Sequence, residues 1–352
     1  MSLAGASTGR ERLSGLAGAT ELLLRAQQPN GAIDWFEDGG AWDAWNHSEC
    51  LMALAVMGEM DAARRGFDHL AQRQETDGSW ICGYGSALPM ADEIHVARAG
   101  APLVKDANFA AYPAVALWHL WRLTGERADV DRWWPTVRAG IAFVLGLQHP
   151  EGDISWSGAA HGAADDDALL AGNASIFKSL ECALWLAELV GDPQPLWAVA
   201  RQRLREAVVG KPHRFNRDGV RRGGFAMDWY YPALAGVLER REALARLLEG
   251  APRFIVPGVG CRCVDDQPWM TVAETCELAM ALFGLGQTAR GARLLEWIEP
   301  YKDETGAYWM GWQFEAQVIW PEERPTWTQA AAILAHDALL AATPAFNVIL
   351  PG

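Results

Sequence analysis

Apolar residues recur at a spacing of about 3.6 through almost all of this 352-residue chain, and the helical segments they define fall into two alternating kinds. One kind is amphipathic, with one charged face: 10–28, 59–75, 127–148, 193–209, 238–249 and 287–299. The other is apolar nearly all round, with polar residues near its start: 41–57, 106–123, 173–190, 226–238, 269–284 and 326–342. A helix that is apolar on every side must be enclosed, and an amphipathic helix is what encloses it. Strict alternation of six and six therefore predicts inner helices wrapped by outer ones. No segment alternates with the period of a strand.

The joints between segments repeat too. QQPNGAIDW runs from Gln27 to Trp35, QRQETDGSW from Gln72 to Trp80 and LQHPEGDISW from Leu147 to Trp156. Weaker versions run from Asn216 to Trp229, from Val264 to Trp269 and from Tyr301 to Trp309. A period of about 50 to 60 residues over six units reads as a closed array of helical hairpins. The expected fold is all-α: an (α/α)6 toroid forming one domain over residues 1–352. Three inserts, 81–105, 157–172 and 310–325, interrupt the repeat and are expected at the rim or lid of a site.

Gln74, Gly78 and Trp80 resemble the QW motif of the terpenoid cyclase and protein prenyltransferase superfamily, whose squalene-hopene cyclases carry it repeatedly. Gln27 or Gln28 with Gly31, and Gln148 with Gly152, are similar with a later Trp. The resemblance implies a toroid whose joint glutamines tie neighbouring hairpins together, and an isoprenoid or prenyl-linked substrate. Class II cyclases of that superfamily protonate an alkene with an Asp-x-Asp-Asp acid; Asp265 and Asp266 stand at two of its positions. The resemblance brings Mg²⁺ into view only through the diphosphate substrates of class I terpene synthases. Asp165, Asp166 and Asp167 do not match that metal motif, and no metal or other cofactor is expected.

Composition narrows the partners. With 44 acidic against 30 basic residues the net charge is −14, which excludes a basic nucleic-acid-binding face. No apolar run reaches the roughly 18 residues of a membrane span. The start of the chain has no apolar signal core, and the six cysteines show no paired framework, so a cytoplasmic protein with reduced thiols is expected.

In a toroid the inner-helix N-termini converge on one end, and polar side chains in their first turns line the cavity there. Their dipoles favour developing negative charge. The catalytic candidates at these starts are Glu49, His47, Asp228 and Glu274, joined by Asp265 and Asp266 from the resemblance. A carboxyl group one turn inside an apolar helix must be paired or face a wet cavity. The substrate-contacting candidates are Trp42, Asn46, Asn108, Tyr112, Lys178, Glu181, Tyr230, Tyr231, Trp269, Trp312 and Trp327. The same toroid serves glycoside hydrolases, lyases and epimerases, whose carboxylate pairs walled by Trp suit this set as well. The function expected from the resemblance is a terpenoid cyclase or prenyltransferase-like enzyme. The alternative is a carbohydrate-active enzyme, and the third reading is a non-catalytic binder of a small lipid or sugar.

Overall fold

The computed structural model describes residues 12–85, 104–159, 167–217, 219 and 221–351. The helices are α1 (Ala17–Ala26), α2 (Ala44–Met57), α3 (Met60–Gln72), α4 (Ala107–Ala111), α5 (Pro113–Thr124), α6 (Arg127–Gly146) and α7 (Leu170–Val190). They continue as α8 (Pro195–Gly210), α9 (Ala226–Leu234), α10 (Arg240–Phe254), α11 (Val272–Gly284), α12 (Thr288–Ile298) and α13 (Thr326–Leu340). The inner ring runs α2, α4–α5, α7, α9, α11, α13, each packed on the next, and it closes where α13 packs against α2. Each inner helix turns tightly into the following outer helix and packs on it. The first outer helix, α1, packs on the last inner one, α13, so the two ends of the chain seal the ring. This is the expected (α/α)6 toroid, and its inner helices are buried on nearly every face. The second inner helix is split at Tyr112, because Pro113 has no N–H to continue the ladder and restarts the helix at its first turn.

The joints explain their own sequence. The Gln74 amide donates to the carbonyl of Gly78 at 2.9 Å and to that of Thr136, on the next outer helix, at 2.8 Å. Gln148 does the same to Gly152 and Ala200, both at 2.9 Å. Gln27 reaches Ala62 at 2.9 Å and Gly31 at 3.3 Å. One side chain thus ends its own helix and ties it to its neighbour. Gln74→Ala leaves two carbonyl groups short of a partner and is expected to cost about 1–2 kcal/mol. Urea denaturation of the variant reads that loss, and an unchanged midpoint would show the tie to be idle.

The absence of strands expected from the spacing needs correction. Seven short strands are present among the described residues. β1 (Val104–Asp106) pairs antiparallel with β2 (Ser157–Ala159). β3 (Ile255–Val256), β4 (Gly260–Arg262), β5 (Trp269–Thr271), β6 (Gly311–Gln313) and β7 (Val318–Ile319) form an antiparallel sheet in that order. Strands of two or three residues are too short to show an alternating pattern. The insert at 310–325 supplies β6 and β7, beside the start of α11. Residues 81–85 and 104–105 of the first insert are described; so are 157–159 and 167–172 of the second, and Asp165 and Asp166 lie outside the described residues. No helix among the described residues is long and apolar enough to cross a membrane. All six cysteines are unpaired.

Candidate active site

The N-termini of α2, α4, α7 and α9 enclose a cavity of about 170 Å³ at one end of the ring. Trp45 of α2 and Trp156, just before β2, supply aromatic wall. Asp106 and Asn108 enter at the start of α4, and Asp228 from the first turn of α9. Residues 169–173, at the start of α7, lie between these two groups in the ring. Asn108 is 4% exposed, and neither its amide nitrogen nor its amide oxygen has a hydrogen-bond partner in the protein. A buried amide with all its capacity open is costly unless a ligand or water meets it.

Asp106 is the N-cap of α4 and accepts from the Phe109 N–H at 3.1 Å. That bond and the helix dipole favour the ionised form, but burial is the larger influence and pushes the carboxyl up to about 7. Asp228 sits in a different balance. Burial pushes it upward, while the Asn216 amide at 2.5 Å, the Ala171 N–H at 3.2 Å and the charges of Arg222 and Arg246 pull it back. Burial therefore raises both carboxyls of the cavity, Asp106 to about 7, and Asp228 has more partners drawing it back.

Deeper along the axis lies a second set of acids. Glu49 accepts from the Trp45 indole N–H and the Tyr112 hydroxyl, both at 3.1 Å. Glu277 accepts from the Tyr230 hydroxyl and Glu274 from the Thr271 hydroxyl. Glu49, Tyr112, Tyr231 and Glu277 border a void of about 10 Å³, close to the least that admits one water. Burial pushes Glu49 and Glu274 from 4.5 up to about 7, and holds Glu277 well above the usual carboxylate range. These shifts fix a sign. A carboxyl whose folded value is raised stabilises the fold below its unfolded value, and that contribution is lost as pH rises through the folded value. The component due to Glu274 is thus lost between 4.5 and about 7. Thermal midpoints of Glu274→Gln measured across that interval should fall less steeply with pH than those of the native chain, and parallel curves would contradict the shift.

The structure distributes the candidates named from sequence unevenly. Asn108 and Asp228 line the cavity; Asn46 is not in its lining and gives its amide to Asp43 at 2.6 Å. Glu49, Tyr112 and Tyr231 border the deeper void and Tyr230 joins it through Glu277, while Glu274 is held in the first turn of α11 by Thr271. His47 is not placed to act as a base. Its Nδ1 accepts from the Ile33 N–H at 3.2 Å and its Nε2 meets the Gly66 carbonyl at 3.0 Å, while burial lowers it to about 4. Trp42 is buried and stacked on Tyr84 with ring centroids 4.5 Å apart. Lys178 bonds Glu181 at 2.7 Å and the Leu350 carbonyl at 3.0 Å, and Glu181 also pairs with Arg201, so this is a structural network beyond the far end of the cavity. Asp265 and Asp266 are engaged by Arg221, and Asp265 also by Arg253, and neither lines the cavity. Trp269 and Trp312 sit in the rim sheet: Trp269 donates to the Trp320 carbonyl at 2.7 Å and Trp312 leans on Tyr301. Trp327, at the start of α13, meets Phe36 edge-on. Trp45 and Trp156 line the cavity without standing among the sequence candidates. Asp106 was visible as a helix start, where an N-cap and a catalytic acid have the same residue type. Among the described residues no group of three or more His, Cys, Asp or Glu is arranged to hold a metal ion.

Comparison with solved structures concerns the fold. A glycosidase in complex with glucose matches with a TM-score of 0.70 at 14% identity, over 97% of this chain and 100% of that one. A D-mannose isomerase matches with a TM-score of 0.69 at 10% identity, over 94% and 97%. A bacterial glucoamylase complexed with acarbose matches with a TM-score of 0.66 at 12% identity, over 95% of this chain and 56% of that one. At these identities the likeness concerns fold, the α/α toroid. No protein-family profile matches the chain. In sequence it is 42% identical over 324 residues to the MMP endo-(1,4)-3-O-methyl-α-D-mannosidase of Mycolicibacterium hassiacum, covering 92% of this chain and 86% of that protein. The chain belongs to the family of that mannosidase and is an enzyme. The expected kinship with terpenoid cyclases, squalene cyclases and prenyltransferases is thereby overturned, along with the isoprenoid substrate it implied. The family fits the carbohydrate-active alternative better.

Proposed function

We propose that the chain hydrolyses internal α-(1,4) bonds in chains of 3-O-methyl-D-mannose, with Asp106 as general acid and Asp228 as its partner carboxylate. The observation that carries the assignment is the cavity itself, where two carboxyl groups, both raised by burial with Asp228 drawn back by more partners, share a space walled by Trp45 and Trp156. Glycoside hydrolysis uses such a pair: one acid protonates the leaving oxygen, and one carboxylate serves as nucleophile or activates water. The open amide of Asn108 would be met by sugar hydroxyl groups, and the tryptophan faces suit the apolar faces and methyl groups of the substrate. The 42% identity to the mannosidase supports the choice of sugar and linkage.

The test is digestion of a 3-O-methylmannose oligomer, with products sized by mass spectrometry. Release of internal fragments is expected, and no release anywhere between about pH 5 and 8 would falsify the reading. The pH profile tests the acid separately. With Asp106 titrating at about 7, kcat/KM should fall as pH rises through that value, because the leaving oxygen then lacks its proton. A profile still level well above neutrality would remove Asp106 from the role.

A further inference from the structure

We infer that two hollows on the flank between α8 and α10, the nearer of which adjoins the active cavity at Asp228, bind the substrate chain beyond the cleaved bond. This rests on the proposed reaction, since an internal cut requires sugars on both sides of the scissile linkage. Asp228 lines both the cavity and a second hollow of about 320 Å³, which also includes Arg246 and Gly250. That hollow shares Leu170, Asn216 and Arg246 with a third of about 380 Å³, which extends toward Val209 and Leu238. The second hollow thus adjoins the cavity at Asp228 and the third along Leu170, Asn216 and Arg246.

Asn216 forms the ridge between them. Its backbone has a φ of 56°, and its side chain accepts from the Leu170 N–H at 3.2 Å while donating to Asp228. The ridge is therefore held by the same contacts that hold the proposed catalytic carboxylate. Arg246 is fixed by the carbonyl groups of Trp229 at 2.8 Å and Asp228 at 2.7 Å, so the floor of the hollows is tied to the start of α9.

The lining indicates the occupant. Val209 is 45% exposed and stands with Pro212 and Leu238 on one side, while Glu242, Arg246 and Asn216 supply polar groups. An ordinary sugar chain offers mostly hydroxyl groups. A chain with a methyl ether on each ring offers an apolar group at every residue and matches hollows of mixed character. The structure thus assigns these hollows to the flanking residues of an O-methylated glycan.

Val209→Asp and Leu238→Asp test the assignment by placing charge against the methyl groups. For each, kcat/KM is measured on a short oligomer that fills only the cavity and on a long one that reaches the hollows. The long-to-short ratio should drop about tenfold, the low end of what one hydrocarbon contact in a pocket is worth. Leu196→Asp, on the same flank at 77% exposure and outside the hollows, should leave the ratio unchanged. An unaltered ratio in both the Val209 and Leu238 variants overturns the inference while leaving the reaction intact. If the native chain cleaves neither oligomer, the functional reading fails, and calorimetric binding of the long oligomer decides the assignment of the hollows alone. Weaker binding by Val209→Asp supports it; equal binding, or none by either protein, overturns it.

Discussion

Asp106→Asn should lower turnover on a methylmannose oligomer by about 10²- to 10⁴-fold, the range usual for loss of a positioned proton donor. The fold should survive, because Asn is as good an N-cap as Asp and the bond from the Phe109 N–H has an acceptor in either residue. Asp228→Asn should fall at least as far, but for a different reason, and the two can be separated. A substrate whose leaving group is already a stable anion, such as a nitrophenolate, has little need of an acid. Asp106→Asn should therefore recover much of its rate on an aryl mannoside, whereas Asp228→Asn should not. The Asp228 variant also meets the Asn216 amide with a second amide, so its folding must be checked by circular dichroism before its rate is interpreted. Loss in both variants with recovery in neither would place the acid elsewhere, with Glu49 and Glu274 next in line. Both are pushed up to about 7, and Glu49 is joined to the cavity through Trp45.

The fold was more legible in the sequence than the chemistry was. Hydrophobic period and the spacing of the joints report on burial and chain geometry, which are properties of each segment by itself. They place α3, α6, α8 and α12 within a few residues of the observed bounds. Site residues are set by which helix starts face one another, and the pattern along the chain does not contain that. Asp106 and Asp228 lie more than a hundred residues apart and share one cavity. His47, adjacent to Asn46 in sequence, points away into the Gly66 backbone of α3. Lys178 and Glu181 are one helical turn apart and sit deep in α7, too far along it to reach the end where the cavity opens. Their mutual ion pair was legible from the i, i+3 spacing, but its place in the ring was not.

The resemblance to the cyclases arose from the same limit, and Gly78→Ala shows why. In the joint, Gly78 has a φ of +90°, which L-residues with a side chain rarely adopt, and a methyl group there would lie 2.2 Å from the Ala139 carbonyl oxygen of α6. Gly31 and Gly152 occupy the same place in their joints, against the carbonyl groups of Arg65 and Arg203. The left-handed backbone alone costs about 1–2 kcal/mol for a residue with a Cβ. The clash adds to it, because the obstructing atom is backbone in a packed outer helix and can recede only if α6 moves. Gly78→Ala is therefore expected to lose at least about 3 kcal/mol in urea denaturation. Gly146→Ala in α6 is the matched control: a methyl group there meets nothing within 4 Å and should be neutral or slightly stabilising. If the two variants were equally stable, the joint would not constrain the spacing of the helices. If they differ as expected, Gln, Gly and Trp recur because a closed ring needs one outer helix to end against the backbone of the next. That demand is the same for any toroid, whatever is bound inside it, so the motif carries the architecture from one chemistry to another and cannot by itself distinguish a lipid cyclase from a glycosidase.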